Sequence, residues 1–213
     1  MNQMVSHVKR LFQDQLQQAE TLRQQAFQDS LTGLGNRRFF LQQLTALVSN
    51  TEEFSPGYVL FVAIDGLKEL NEGSGYVEGD HIIELVAKSC KNFWGDSPGR
   101  SITRISGSNF GIIIREENKH HFLNACDEFN QTLQQLYQSN FPCNIHMAAA
   151  PYQLNESITE LLTEVDLALK KARLVETRFA YSPLIDEMNT IALDKEFLNQ
   201  AIDNEKVAIY SQK

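Results

Sequence analysis

The sequence predicts an α+β fold, a central mixed sheet flanked by helices, with a long amphipathic helix in front of it. Three observations carry this. Strand-like and helix-like segments alternate along the 213-residue chain. One pair of strands is joined by a tight turn, Ser106-Gly107-Ser108-Asn109, rather than by a helix. The run Tyr58-Val59-Leu60-Phe61-Val62-Ala63-Ile64 is apolar without interruption, and such a strand is buried on both faces, which requires helices above and below it.

Residues 4–28 contain neither Gly nor Pro. Val5, Val8, Phe12, Ala19, Leu22 and Ala26 fall at heptad positions a and d, with Gln15 the polar exception. Two arrangements fit this segment: a solvated amphipathic helix lying on its own domain, or a parallel two-stranded coiled coil. The heptad pattern favours the coiled coil, and with it a homodimer. The stretch from Asp29 to Asn36 holds two glycines and helix-capping residue types, so it turns the chain into a second helix over 37–48.

After Pro56-Gly57 comes the apolar strand, ending at Asp65. A short helix over 66–72, a Gly-rich loop Gly73-Ser74-Gly75 and a longer helix over 79–92 follow. Strands over 102–105 and 110–114 form an antiparallel hairpin. Beyond it the pattern gives a helix over 120–139, a strand over 143–150, a helix over 158–175 and a closing strand over 178–181. Residues 188–204 read as one more helix, and 207–210 begin a strand.

Lys and Arg total 19 against 27 Asp and Glu, a net charge of −8. Affinity for nucleic acid comes chiefly from neutralising phosphates with basic side chains, so no broad nucleic-acid surface is expected. No apolar run is long enough to span a membrane. The three cysteines, Cys90, Cys126 and Cys143, show no metal-ligand spacing and read as reduced thiols. No residue pattern calls for a metal or other cofactor.

Five motifs, in order and in register from about Asp29 to Tyr181, resemble those of GGDEF domains. Asp29-Ser30-Leu31-Thr32-Gly33-Leu34-Gly35-Asn36-Arg37-Arg38 is similar to D-x-L-T-G-L-x-N-R-R. Ile64-Asp65-Gly66-Leu67-Lys68-Glu69-Leu70-Asn71-Glu72 resembles D-x-D-x-F-K-x-x-N-D. Gly75-Tyr76-Val77-Glu78-Gly79-Asp80 is similar to G-H-x-x-G-D, and Arg104-Ile105-Ser106-Gly107-Ser108-Asn109-Phe110 stands where the family has its signature. Residues 165–173 resemble A-D-x-A-L-Y-x-A-K. The resemblance implies the nucleotide-cyclase-like GGDEF fold, whose active members condense two GTP into cyclic di-GMP.

The departures shape the functional expectation. The resemblance places metal-binding carboxylates at two positions that are here Ala63 and Ser108, and the signature reads Ser106, Gly107, Ser108, Asn109, Phe110. Mg²⁺ requires hard oxygen ligands, so no metal is expected and the degenerate domain is not expected to be an enzyme. Ser97-Pro98-Gly99-Arg100 replaces the R-x-x-D product-inhibition motif, so cyclic di-GMP binding there is not expected. Asn71 and Asp80 match guanine-reading positions, and Lys68 and Arg173 match phosphate-side ones, which leaves weak GTP binding open. The competing reading is that Asn71 and Asp80 cap helices and turns.

Leu193-Asp194-Lys195-Glu196-Phe197-Leu198 and Val207-Ala208-Ile209-Tyr210-Ser211-Gln212 resemble the opening of an EAL domain. The expected organisation is a signalling helix over 1–28, a degenerate GGDEF domain over 29–182, and a linker with a truncated EAL domain over 183–213. That combination is similar to LapD-type receptors at the bacterial inner membrane. It implies an inactive module that mediates dimerisation and relays signals between an upstream membrane or HAMP part and a downstream EAL domain of the same protein. The fragment would be soluble, with membrane attachment only through segments absent from this chain. The alternative is a GTP-binding regulatory module of an active cyclic di-GMP phosphodiesterase.

Overall fold

A computed structural model describes residues 2–52, 54–95, 99–137, 142–174 and 178–182, without the side chains of 2–6 and 137. The expected helix over 188–204, the strand over 207–210 and the EAL-like motifs lie outside the described residues. So do Ser97-Pro98 and Glu176-Thr177, the last of which replaces a Gly-Arg pair of the GGDEF pattern.

The elements run α1 (Asn2–Phe27), β1 (Gly35–Asn36), α2 (Arg37–Ser49), β2 (Gly57–Asp65), α3 (Leu67–Ser74), α4 (Tyr76–Trp94), β3 (Arg100–Arg104), β4 (Asn109–Arg115), α5 (Lys119–Tyr137), β5 (Asn144–Tyr152), α6 (Ile158–Ala172) and β6 (Phe179–Tyr181). They form one mixed sheet in the order β1-β3-β4-β2-β5-β6. β2 pairs antiparallel with both β4 and β5, while β1–β3 and β5–β6 are parallel.

The central strand is covered on both sides, as its composition requires: every residue from Gly57 to Ile64 is buried. Alternation along β2 divides its side chains between two cores. Leu60, Val62 and Ile64 pack with Ile82, Ile83, Val86 and Trp94 of α4 and Phe122 and Phe129 of α5. Val59, Phe61 and Ala63 pack with Phe40 and Leu44 of α2 and Leu161, Val165 and Ala168 of α6. Tyr58 and Phe122 stack with ring centroids 3.9 Å apart.

Several boundaries differ from the sequence expectation. Gly73 and Ser74 belong to α3, so the loop expected over 73–75 narrows to Gly75, whose φ of 89° suits glycine. α4 therefore starts at Tyr76 instead of 79. α6 stops at Ala172, where Arg173 caps it. β5 extends to Tyr152 because its antiparallel pairing continues as far as Gly57, the first residue of β2. β1 had no signal of its own: two residues form a strand only because β3 lies alongside.

Candidate functional site

The signature stretch occupies the turn between β3 and β4, beside the C-terminal end of β2. Ala63 of β2 lies opposite Asn109 on β4 and opposite His146 on β5. Directly paired residues project from the same face, so one row across three strands reads amide, methyl, imidazole. The Ile64 amide donates to the Ser108 carbonyl at 2.9 Å, and the Asn109 carbonyl accepts from Ile105 at 2.9 Å and Ser106 at 3.3 Å. Ser106 and Gly107 are exposed, Ser108 and Asn109 half-buried, and Phe110 and Ala63 fully buried.

Two residues beyond Ala63, Asp65 is the hub of a charged cluster. Its carboxylate accepts from Arg173 Nε at 2.8 Å and Nη2 at 2.9 Å, and faces His146 Nδ1 at 2.8 Å. Burial alone would raise the Asp65 pKa, but the Arg173 fork and His146 outweigh it and hold the carboxyl below its ordinary value. An ionised carboxylate only accepts, so Nδ1 of His146 carries the proton. Burial pushes the His146 pKa down more than Asp65 raises it, which favours the neutral ring. The forked guanidinium–carboxylate geometry fixes Arg173 in orientation as well as charge.

Of the remaining nucleotide-position candidates, Lys68 is exposed and pairs with Glu72 at 3.8 Å. Asp80 is exposed on α4. Asn71 turns its amide oxygen into the α3–α4 contact, where the oxygen is buried without a hydrogen bond. A Cβ on Gly79 would strike it. The structure thus joins Arg173 to Asp65 and Asn71 to Gly79, whereas Lys68 and Asp80 stay at the surface.

The junction with α1 is tied to the same hairpin. Asp29 accepts from the Thr32 amide at 2.9 Å, from Thr32 Oγ1 at 2.7 Å and from Arg104 Nη1 at 3.2 and 3.3 Å. Nη2 of Arg104 donates to the Gly107 carbonyl at 2.8 Å. Asn36 caps α2 by accepting from the Phe39 amide, and its Nδ2 donates to the carbonyls of Ala26 at 3.0 Å and Gln28 at 3.3 Å. One side chain therefore closes the end of α1 and the start of α2.

Along α1, Val8, Phe12 and Leu22 are exposed, as is Ala19, and Ala26 is half-buried; Val5's side chain lies outside the described set. Leu11 and Leu16 are exposed as well, flanking Gln15 and widening the apolar stripe beyond a and d. The sequence reading passed over His146. Its one signal was a polar residue inside an otherwise apolar strand, and only the β2–β5 register shows what it faces. His81 and His120 are exposed on helices, and His121 contacts Glu116 at 2.6 Å.

The sequence model described as "Diguanylate cyclase, GGDEF domain" matches residues 26–177. Among curated proteins, the chain is 26% identical to the signaling protein YkoW of Bacillus subtilis, over 88% of this chain and 24% of that protein. It is 27% identical to the cyclic di-GMP phosphodiesterase PdeB of Shewanella oneidensis, over 71% of this chain and 18% of that protein. The chain thus spans about a quarter or less of these relatives. Among solved structures it is similar to Vibrio cholerae LapD S helix-GGDEF-EAL bound to c-di-GMP, with TM-score 0.70, 25% identity, and coverage of 91% of this chain and 46% of that one. The coiled coil and GGDEF domain of DgcB from Caulobacter crescentus shares the fold, with TM-score 0.73, 21% identity, and coverage of 84% and 97%.

Proposed function

This chain belongs to the GGDEF family, and from that premise we propose that it is a catalytically inactive GGDEF module of a cyclic di-GMP signalling receptor. Its role is dimerisation through α1 and relay between parts of a longer protein. The observation that carries this is the row Asn109–Ala63–His146. Phosphoryl transfer depends on positioning and on metal stabilisation of developing charge. At the two ligand positions stand the methyl of Ala63 and the hydroxyl of Ser108, with the neutral amide of Asn109 beside them. The carboxylate of Asp65, two residues beyond Ala63 on β2, is taken by Arg173 and His146. This donor set does not fit Mg²⁺, which demands hard oxygen ligands in near-octahedral array.

The relay reading draws on the continuous path from α1 through Asn36 and Asp29 to Arg104 and Gly107. It draws also on the likeness to an S helix-GGDEF-EAL chain. An EAL domain downstream and a membrane-anchored part upstream belong to the same proposal; among the described residues no helix is long and apolar enough to cross a membrane. The GTP-binding alternative has less support, because Asn71 is turned onto Gly79 and nucleotide phosphates would have to compete with Asp65 for Arg173.

Incubation with GTP and Mg²⁺ or Mn²⁺, followed by chromatography, is expected to give no cyclic di-GMP. Product formed by the purified chain would overturn the proposal. Calorimetry with GTP at millimolar concentration is expected to show no heat.

A further inference from the structure

The outward face of α6 carries an apolar stripe that nothing described covers. Leu167 and Leu174, seven residues apart, are 52% and 87% exposed. They border a groove of about 520 Å³ whose rim includes Glu160, Thr163, Glu164, Lys170, Lys171 and Ser182. The inward face of the same helix, with Leu161, Val165, Ala168 and Ala172, is fully buried. The stripe is therefore surplus to the domain core.

We infer that the groove is the seat of the segment that follows Ser182, beginning Pro183-Leu184-Ile185-Asp186-Glu187-Met188. Ser182, the last described residue, lies on the groove rim, so the chain is delivered there. The Ser182 amide still bonds the Ala149 carbonyl at 2.9 Å, but Pro183 has no amide hydrogen and cannot extend the ladder. It also holds Ser182 in extended geometry. At about 1.5 Å of rise per residue, Leu167 and Leu174, the latter in the turn just past the end of α6, lie about 10 Å apart. An extended chain from Leu184 to Met188 reaches about 13 Å, and since alternate residues of an extended chain share a face, that is enough to lay Leu184 and Met188 over Leu167 and Leu174. Asp186, between Leu184 and Met188 on the same face, then meets Lys170 and Lys171, which lie between Leu167 and Leu174, while Glu160 and Glu164 line the far end of the groove.

The seat would join the outgoing chain to the helix whose C-terminal residue, Arg173, is locked onto Asp65. It depends neither on the lost metal ligands nor on what the longer protein carries next.

Thiol alkylation of the full 213-residue chain tests this. Leu174→Cys and Val77→Cys replace side chains of nearly equal exposure, 87% and 86%, with the buried native cysteines of the unsubstituted chain as baseline. Neighbouring Lys170 and Lys171 favour thiolate at 174, so an uncovered groove makes Leu174→Cys react at least as fast as Val77→Cys. The expected result is at least tenfold slower reaction at 174, restored to within twofold of Val77→Cys by Leu184→Asp with Met188→Asp. Leu167→Cys gives the same readout at a second position. Equal rates in the parent chain overturn the inference. So does slowing that survives the two Asp substitutions; if that slowing is relieved on dilution, a second copy sits in the groove.

Discussion

Replacing Asp29 by Asn keeps the shape and the Thr32 contacts but removes the charge that faces Arg104. The pair is well shielded, with Asp29 and Arg104 keeping 22% and 14% of their side-chain accessibility. Breaking a fully buried pair costs about 3–5 kcal/mol, and exposed pairs are worth about 0–1 kcal/mol. The intermediate burial here places the Asn variant at about 1–2 kcal/mol of lost stability. Asp29→Ala also removes the side-chain acceptor that caps the turn, worth about 1 kcal/mol more. The pH dependence separates charge from shape. Burial raises the Asp29 pKa, but hydrogen bonds from Thr32 and the Arg104 charge outweigh it and leave the carboxyl below its ordinary value. Its contribution is therefore full above the unfolded pKa near 4 and is lost as pH falls through the depressed folded value. Urea unfolding followed by circular dichroism, at fixed protein concentration, should show a constant gap between parent and Asn variant at pH 6–8. The gap should shrink below about pH 4. A double-mutant cycle with Arg104→Ala should return a coupling of about 1–2 kcal/mol. Coupling below about 0.5 kcal/mol, or a gap that persists unchanged in acid, refutes the reasoning.

Leu22→Asp places a charge on the exposed stripe of α1, and light scattering should then report a monomer at concentrations where the parent is a dimer; an unchanged mass argues against α1 as the interface. Gly79→Ala would gain about 1 kcal/mol from helix propensity in open space, but the new methyl meets the Asn71 amide. A loss of about 1–3 kcal/mol is expected from overpacking, relieved in the double variant with Asn71→Ala; a stabilised single variant contradicts the close approach. Asp65→Asn should lower the His146 pKa further, and Arg173→Ala should raise it by removing a neighbouring cation, both read by NMR titration of the imidazole. Movement in the opposite directions would mean that His146 does not share the Asp65 cluster.

The chain order of elements was legible because each rests on local chemistry. The apolar run over 58–64 demanded a two-sided core, and the period of residues 37–48 and 158–175 demanded helices, though the second stops at Ala172 and the loop expected over 73–75 narrows to Gly75. The residue types at Ala63, Ser108 and Asn109 were legible too, since they need only the sequence to be compared with the family motif. What the sequence left open was how the retained residues would be used. Asn71 and Arg173 matched nucleotide positions only through the family resemblance, but one is pressed onto Gly79 and the other forked by Asp65, contacts made across 8 and 108 residues of chain.

Register decided the rest. That His146 and Asn109 flank the Ala63 methyl follows from how β4 and β5 align on β2, and a shift of one residue in either alignment would have sent that strand's side chain to the face away from Ala63. Likewise, β1 exists only because β3 passes beside it. The amino-acid sequence by itself determined the alternation of elements, the double-sided core and the presence of Ala63, Ser108 and Asn109 at positions where the family resemblance leads one to expect carboxylates. Only the tertiary structure decided which remaining charges meet, because pairing between distant residues depends on strand register and helix placement, which no local pattern encodes.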